Sequence, residues 1–153
     1  MEDKMISFGP VDKMTIGILR VIHRTLLPVR YSDEIYRTIK EGVMAKGELA
    51  YYNNDVAVGE ICYRIEKNGD VSKLYIMTIG VLPTYQKLGI ATKLLNRIVE
   101  KSEGISEIYL HVSVTNEGAM KFYEKQGFTR LEKVEKYYKS LDEGDAYIYS
   151  KKI

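Results

Sequence analysis

The chain of 153 residues has little of several features that define common protein classes. Its single cysteine, Cys62, excludes an internal disulfide and a cysteine-rich metal site, and it suits a reducing compartment. No apolar run approaches the roughly 18 residues that a membrane-spanning helix needs. The first residues lack the basic and then apolar pattern of a secretory signal. A net charge of +2 is too small to indicate nucleic-acid binding, so we expect a cytoplasmic protein without direct membrane or nucleic-acid contacts.

Proline and tryptophan are also scarce. Only three prolines interrupt the chain, and no repeat or linker divides it, so we expect one domain over residues 1–153. A chain of this size buries about 68–70% of its unfolded surface and can form a stable core without disulfides or a structural metal. There is no tryptophan, whereas 13 tyrosines stand against three phenylalanines. That surplus of tyrosine is either ordinary surface chemistry or the lining of a site, because a tyrosine needs both apolar contact and a hydroxyl partner.

Hydrophobic periodicity predicts a mixed sheet with helices on its faces, an α/β (α+β) fold of seven strands and four helices in the order β-α-α-β-β-β-α-β-α-β-β. The predicted strands cover residues 5–8, 49–52, 56–65, 73–82, 107–114, 128–138 and 145–152, the last two as an antiparallel pair. Asp12 is predicted to cap the first helix, whose apolar positions are Met14, Ile18, Val21 and Ile22. Ser32 is predicted to cap the second helix, which ends near Glu41, and the others cover residues 89–101 and 116–126.

The connection over residues 81–93 is the first candidate for chemistry. A strand stops at Pro83, a short loop follows, and a helix begins, which points backbone N–H groups towards an anion at a positive helix end. Gly89 lets the backbone approach a phosphate closely, and Lys87 adds charge. The segment is neither a Walker A loop nor a dinucleotide fingerprint. The alternative is a plain strand-to-helix connection with a glycine in a tight turn.

The helix over residues 116–128 is the second candidate. Helical periodicity puts Ala119, Phe122, Tyr123 and Gln126 on adjoining positions of one face. By itself this pattern is more typical of an amphipathic helix in which Tyr123 is a half-buried core aromatic.

Together the two segments resemble the GNAT superfamily of acyl-CoA-dependent N-acetyltransferases. Gln86-x-x-Gly89-x-Ala91 is similar to the family's pyrophosphate loop, Q/R-x-x-G-x-G/A, and residues 116–128 are similar to its second signature. Further blocks at residues 27–31, 74–78, 109–112 and 137–139 resemble the N-terminal protein acetyltransferases of that superfamily. The resemblance implies the GNAT fold, acetyl-CoA as cosubstrate without a metal, and transfer of acetyl to the α-amine of polypeptides. Favoured N-termini would carry an initiator methionine followed by an apolar residue.

Strand alternation puts Tyr75 and His111 on faces of neighbouring strands where they can hold one water between them. The resemblance implies that this water is the general base, with His111 as the stronger proton acceptor. It also implies that Tyr123 meets the sulfur of coenzyme A and that the Ile79 amide stabilises the oxyanion. The other interpretation makes Tyr75 and His111 ordinary core residues.

The resemblance further implies which residues border the two substrates. The cofactor-binding set is Ile79, Gly80, Val81, Gln86, Lys87, Leu88, Gly89, Ile90, Ala91, Thr92, Asn116 and Tyr123. The peptide-binding set is Leu27, Pro28, Val29, Tyr31, Met77, Tyr137, Tyr138, Lys139 and Ser140. Leu27 departs from the phenylalanine that the family commonly has at the methionine pocket.

The expected partners are peptide or nascent-chain N-termini and, by resemblance, a NatA-type acetyltransferase complex and through it the ribosome, in the cytoplasm and also the nucleus. Three other functions stay open: a lysine or small-amine acetyltransferase, a non-catalytic acetyl-CoA-binding subunit, and a cofactor-free interaction domain. The intact loop from Gln86 to Ala91 argues against the last. The presence of Tyr75, His111 and Tyr123 argues against the non-catalytic subunit. Cys62 is interpreted as a buried hydrophobe rather than a nucleophile.

Overall fold

The computed structural model describes residues 5–27, 30–138 and 144–153. These residues form the predicted elements in the predicted order. The strands are β1 (Ile6–Pro10), β2 (Lys46–Tyr52), β3 (Val56–Asn68), β4 (Val71–Val81), β5 (Ile105–Ser113), β6 (Thr129–Val134) and β7 (Ala146–Lys152). The helices are α1 (Ile16–Leu26), α2 (Asp33–Glu41), α3 (Ile90–Lys101) and α4 (Glu117–Lys125). In this part of the chain, no helix is both long and apolar enough to cross a bilayer.

The seven strands form one sheet in the order β1-β2-β3-β4-β5-β7-β6. β4 and β5 pair in parallel, and α3 lies between them in sequence, as a parallel crossover requires. β1 with β2, β2 with β3, β5 with β7, and β6 with β7 are antiparallel. The predicted mixed sheet with helices is therefore confirmed, including the final antiparallel pair.

The chain divides into two compact units, of which the first comprises Met1–Ile65 and Ile76–Glu103. Its core is a cluster of buried side chains from α1, α2, β2 and β3 that includes Leu19, Ile39 and Leu49. The buried carboxylate of Glu48 on β2 accepts from Arg97 Nε at 2.6 Å and from Lys101 Nζ at 3.2 Å, both on α3. The first unit thus carries α1, α2 and α3.

The second unit comprises Glu66–Tyr75 and Gly104–Ile153. Its core includes Tyr149, which is fully buried on β7. The Tyr149 hydroxyl donates to Glu124 Oε2 on α4 at 2.8 Å and accepts from Arg130 Nε on β6 at 3.0 Å. Gly127, with a φ of 93°, ends α4 in the left-handed region.

The predicted start and buried face of α1 are wrong. Asp12 does not cap the helix: its carboxylate accepts from the Met14 amide at 2.8 Å in a preceding turn, and α1 begins at Ile16. Of the four predicted apolar positions only Ile22 is buried; Met14, Ile18 and Val21 are exposed. The buried stripe instead consists of Leu19, Ile22 and His23. His23 is polar by residue type, so a pattern of apolar residues does not include it in the buried stripe.

The predicted cap of α2 is confirmed. The Ser32 hydroxyl accepts from the Ile35 amide at 3.3 Å, which satisfies one of the amides at the start of the helix. Gly42, with a φ of 71°, ends the helix in the left-handed region. The start of α2 is therefore fixed by the Ser32 cap.

Candidate active site

Three polar rings meet in the second unit, where β4 and β5 run in parallel. The Tyr75 hydroxyl lies 2.9 Å from His111 Nδ1 and 2.8 Å from the Tyr137 hydroxyl. Tyr75 is paired in register with Tyr109, and His111 follows two positions later on the same face of β5. The alternation of the strands therefore brings Tyr75 and His111 together, as predicted.

The contact between Tyr75 and His111 is direct, which corrects the expectation of a water held between them. A distance of 2.9 Å joins hydrogen-bonded atoms, and a bridging water needs roughly twice that separation. Any water that takes part in chemistry here lies outside the gap between these two atoms.

Tyr137 contributes more than its predicted place in a peptide groove. Its ring stacks on the His111 imidazole, with centroids 4.0 Å apart and planes 9° apart. Tyr137 also meets Tyr138 edge to face at 4.8 Å. Burial, followed by the neighbouring Tyr137, raises the pKa of Tyr138 to about 12, so this phenol stays protonated at neutral pH. The stack with His111 was missed from sequence because the two residues lie on separate elements.

Tyr123 occupies a different place in the same unit. It is buried on α4, and its ring lies 5.1 Å from Phe122, 5.4 Å from Phe128 and 6.3 Å from Tyr149. The Asn116 side chain accepts from the Ala119 amide at 3.1 Å and so caps α4. The second sequence motif therefore holds Tyr123 in one orientation by aromatic packing on a capped helix.

The loop after β4, in the first unit, has the form that an anion site requires. A short 3-10 turn over Pro83–Tyr85 is followed by Gln86, whose side chain donates to the Val81 carbonyl at 3.0 Å. Lys87 and Gly89 adopt left-handed φ values of 69° and 77°. The loop is therefore held at Gln86 and turns sharply before α3.

Space beside Gly89 is open. A Cβ placed there would meet no protein atom within 4 Å. The Lys93 amide closes the first turn of α3 on the Gly89 carbonyl at 3.0 Å, so the amides of Ile90 and Ala91 face the open end of the helix. These features fit the expected pyrophosphate of coenzyme A.

Two predicted peptide residues of the first unit, Tyr31 and Met77, lie together. The Tyr31 hydroxyl donates to the Met77 carbonyl at 3.2 Å, and both side chains pack against the buried cluster of that unit. Leu27 is half-buried, and its backbone is extended with φ −96° and ψ 136°, as expected before a proline. Four predicted peptide residues lie outside the described residues: Pro28, Val29, Lys139 and Ser140.

A buried polar network behind Tyr31 was not predicted. His23 places Nδ1 at 2.8 Å from the Tyr36 hydroxyl and Nε2 at 3.0 Å from Glu60 Oε1. The same oxygen of Glu60 accepts from Thr78 Oγ1 at 2.7 Å. Glu60 Oε2 has no hydrogen-bond partner in the described structure. The available signal was a histidine and a glutamate within otherwise apolar segments, but their separation of 37 residues concealed the pairing.

Cys62 joins this network as a thiol. Its Sγ lies 3.5 Å from Glu60 Oε1. Burial raises the pKa of Cys62 well above its ordinary value, and the nearby Glu60 carboxylate raises it further. Atoms of His23, Glu60 and Cys62 that could bind a metal lie within 4.8 Å of one another, and hydrogen bonds within the described structure already join them. We interpret the group as a hydrogen-bond network, and Cys62 as the buried residue that the sequence predicts.

The sequence and the fold are both similar to those of known acetyltransferases. The sequence profile of the Acetyltransferase (GNAT) family matches residues 18–128. N-alpha-acetyltransferase 50 of Danio rerio is 40% identical to this chain over 97% of its length and 89% of the relative. The probable N-acetyltransferase san of Drosophila melanogaster is 38% identical over the whole chain and 84% of the relative. The structure of Arabidopsis thaliana Naa50 in complex with the bisubstrate analogue CoA-Ac-MVNAL superposes with a TM-score of 0.86 at 38% identity, covering 97% of this chain and 99% of that one.

Proposed function

The chain belongs to the acetyltransferase (GNAT) family, and from that premise we propose that it acetylates the α-amine of polypeptides that begin with methionine and an apolar residue. The activity itself, acetyl-CoA-dependent N-terminal acetyltransfer, follows from relatives such as N-alpha-acetyltransferase 50. The preference is supported by the Arabidopsis relative, whose bisubstrate analogue carries the letters MVNAL. The observation that carries the mechanism is the hydrogen-bonded cluster of Tyr75, His111 and Tyr137.

The amine must lose a proton before or during its attack on the thioester. An unperturbed N-terminal amine has a pKa near 7.7–8.0, so roughly a tenth of it is neutral at pH 7. Tyr75 and His111 supply a path for that proton. Tyr75 accepts it from the amine, or from a water bonded to the amine, and passes its own hydroxyl proton to His111 Nδ1. Tyr137 bonds the Tyr75 hydroxyl and stacks on His111, so it fixes the orientation of both groups.

The departing coenzyme A thiolate needs a proton in return. We assign that donation to Tyr123, because aromatic packing fixes its ring. The Ile79 amide is assigned to the oxyanion that develops on the thioester carbonyl. The loop from Gln86 to Ala91 holds the pyrophosphate, which the open space at Gly89 supports.

We assign peptide binding to Leu27, Tyr31, Met77, Tyr137 and Tyr138. Leu27 and Met77 supply apolar surface for a methionine side chain, and the tyrosine hydroxyls bond the peptide backbone. An apolar wall favours an apolar first and second residue, because burial of each CH₂ contributes about 0.8 kcal/mol.

Partner and location are further parts of the proposal and rest on the resemblance to N-alpha-acetyltransferase 50 alone. We place the protein as a single domain on a NatA-type complex, and through it on the ribosome, in the cytoplasm and nucleus. Co-sedimentation of the purified chain with a purified NatA-type complex tests the partner. Failure to co-sediment at micromolar concentration contradicts it.

Specificity is tested with acetyl-CoA and peptides that vary only in their first two residues. We expect Met-Leu and Met-Val peptides to be acetylated with kcat/KM at least tenfold above Met-Asp and Ser-Leu peptides. The Leu27→Phe substitution should change KM for the Met-Leu peptide more than kcat. A pocket wall contacts the bound substrate and the transition state equally, so a change in it affects binding rather than the chemical step. Equal rates on all four peptides contradict the assigned preference, and a change confined to kcat contradicts the placement of Leu27.

A further inference from the structure

A small basic cavity opens beside Tyr31 in the first unit. It has a volume of about 90 Å³ and is lined by residues of α1 and α2 together with Arg30 and Tyr31. Its lining consists of three arginines, a histidine and two tyrosines: Arg20, Arg24, Arg30, His23, Tyr31 and Tyr36. No role assigned above uses the arginines.

The charge around the cavity is positive. Arg20 is paired with Asp33, with Nη2 at 2.7 Å from Oδ1, and its guanidinium lies 4.4 Å from the centre of the Tyr36 ring. Arg24 and Arg30 are exposed, and within the described part of the chain neither forms an ion pair. None of the described residues that line the cavity carries a carboxylate, and Glu60, which bonds His23, is buried.

The wall of the cavity is rigid. His23 is held from one side by the Tyr36 hydroxyl and from the other by Glu60. The three rings of His23, Tyr31 and Tyr36 pack against one another with centroids 5.6 to 6.2 Å apart. These rings need little reordering when a ligand binds beside them, and the positive charge that favours an anion comes from the arginines that line the cavity.

The size of the cavity selects among anions. About 90 Å³ admits a carboxylate with its methylene stem, whereas coenzyme-sized ligands need roughly 300 Å³ or more. Guanidinium groups match carboxylate geometry in bidentate pairs. Tyr31 lines this cavity and, in the proposed function, also contacts the peptide backbone, so one residue belongs to both places.

We propose that this cavity is a subsite for an acidic side chain of the substrate polypeptide, downstream of its first two residues. The inference rests on the proposed function, since it needs a peptide that passes Tyr31. Arg24 and Arg30 bind the carboxylate, and Arg20 completes the positive wall.

A series of Met-Leu peptides tests the subsite. Glutamine at positions three to six is replaced one position at a time by glutamate or by lysine, and KM and kcat are measured. Glutamate at one or two adjoining positions should lower KM by about three- to fivefold, as an interaction of partly exposed charges can, with kcat unchanged. The preference should disappear at 1 M salt, where the Debye length is about 3 Å.

Reversing the charge of the cavity arginines is the decisive test of the subsite. Arg24→Glu and Arg30→Glu should invert the preference, so that lysine at the same positions becomes the better residue. Lys40→Glu is the matched control: it makes the same charge change at an exposed position of α2 outside the cavity and should leave the preference intact. Arg24 also lies in the last turn of α1, where it complements the helix dipole. If the dipole is its whole role, reversal lowers thermal stability and leaves the peptide preference unchanged, which overturns the inference.

Two further outcomes separate the inference from the proposed function. Equal KM values for all charge variants of the peptide, with normal acetylation of the neutral host, overturn the subsite and leave the function standing. A change in KM for acetyl-CoA instead of the peptide places the cofactor at these arginines and also overturns the subsite. Failure to acetylate any free N-terminus contradicts the proposed function itself.

Discussion

Replacing Glu60 by alanine removes the acceptor that holds His23 and Thr78 in the core of the first unit. Glu60 is fully buried and bonds both residues through Oε1, at 3.0 and 2.7 Å. Each buried polar group that loses its partner costs about 1–3 kcal/mol of unfolding free energy. Two such groups would cost about 2–6 kcal/mol, and the Cys62 thiol, 3.5 Å from the same oxygen, is a weak donor that adds little to this sum.

Two features of the network reduce that cost. His23 Nε2 and Thr78 Oγ1 lie 3.3 Å apart and can bond each other once the carboxylate has gone. Glu60 Oε2 has no hydrogen-bond partner in the described structure, so its removal relieves an existing desolvation cost. We therefore expect Glu60→Ala to lower the free energy of unfolding by about 3 kcal/mol. For a chain of this length that corresponds to a melting temperature lower by about 6–12 °C.

Urea unfolding followed by circular dichroism measures this change, and a double-mutant cycle with His23→Ala isolates the pair. We expect a coupling free energy of about 2 kcal/mol, whichever of the two groups holds the proton. Glu34→Ala, which removes an exposed carboxylate from the first turn of α2, is the control and should change stability by no more than about 0.5 kcal/mol. Additivity of the two single substitutions within about 0.5 kcal/mol would refute the network.

Three further predictions concern the site and its support. Tyr75→Phe should lower kcat roughly a hundredfold with little change in KM. Tyr109→Phe is the control, because the Tyr109 hydroxyl bonds Glu66, and its kcat should stay within about twofold of the unsubstituted protein. Equal losses of kcat in the two variants contradict the role of Tyr75. Gly89→Ala and Gly104→Ala, at φ 77° and 74°, should each cost about 1 kcal/mol of stability, but only the Gly89 variant should raise KM for acetyl-CoA. The pKa of Glu107 lies below its ordinary value of 4.5 because the Ser150 hydroxyl, Lys152 and Lys73 stabilise its carboxylate. The stabilisation that Glu107 gives the fold is therefore present above pH 4.5 and is lost as pH falls through the lowered pKa. The free energies of unfolding of Glu107→Gln and the unsubstituted protein should become equal in acid, and a difference that stays constant with pH contradicts this.

The elements of the fold could be predicted because their signals are local. Alternating apolar residues, the Ser32 cap and the glycine that ends α4 each act within a few residues, and the structure has all three. The pairing of Tyr75 with His111 was also accessible, because parallel neighbouring strands and a period of two place both side chains on one face.

The missed features depend on contacts between distant segments. His23 is buried because Glu60, far along the chain, pairs with it, and this contact places Leu19, Ile22 and His23 on the buried face of α1. The stack of Tyr137 on His111 likewise depends on where the segment after β6 lies. No pattern within either segment encodes such a partner.

The central claim is that the acceptor is an N-terminal α-amine. A single peptide that begins Met-Leu and carries an internal lysine offers both amines to the protein and acetyl-CoA at once, and fragment mass spectrometry locates the acetyl group. We predict acetyl on the α-amine, and loss of transfer when that amine is blocked. Acetyl on the lysine side chain, at a rate unaffected by blocking the N-terminus, would contradict the account.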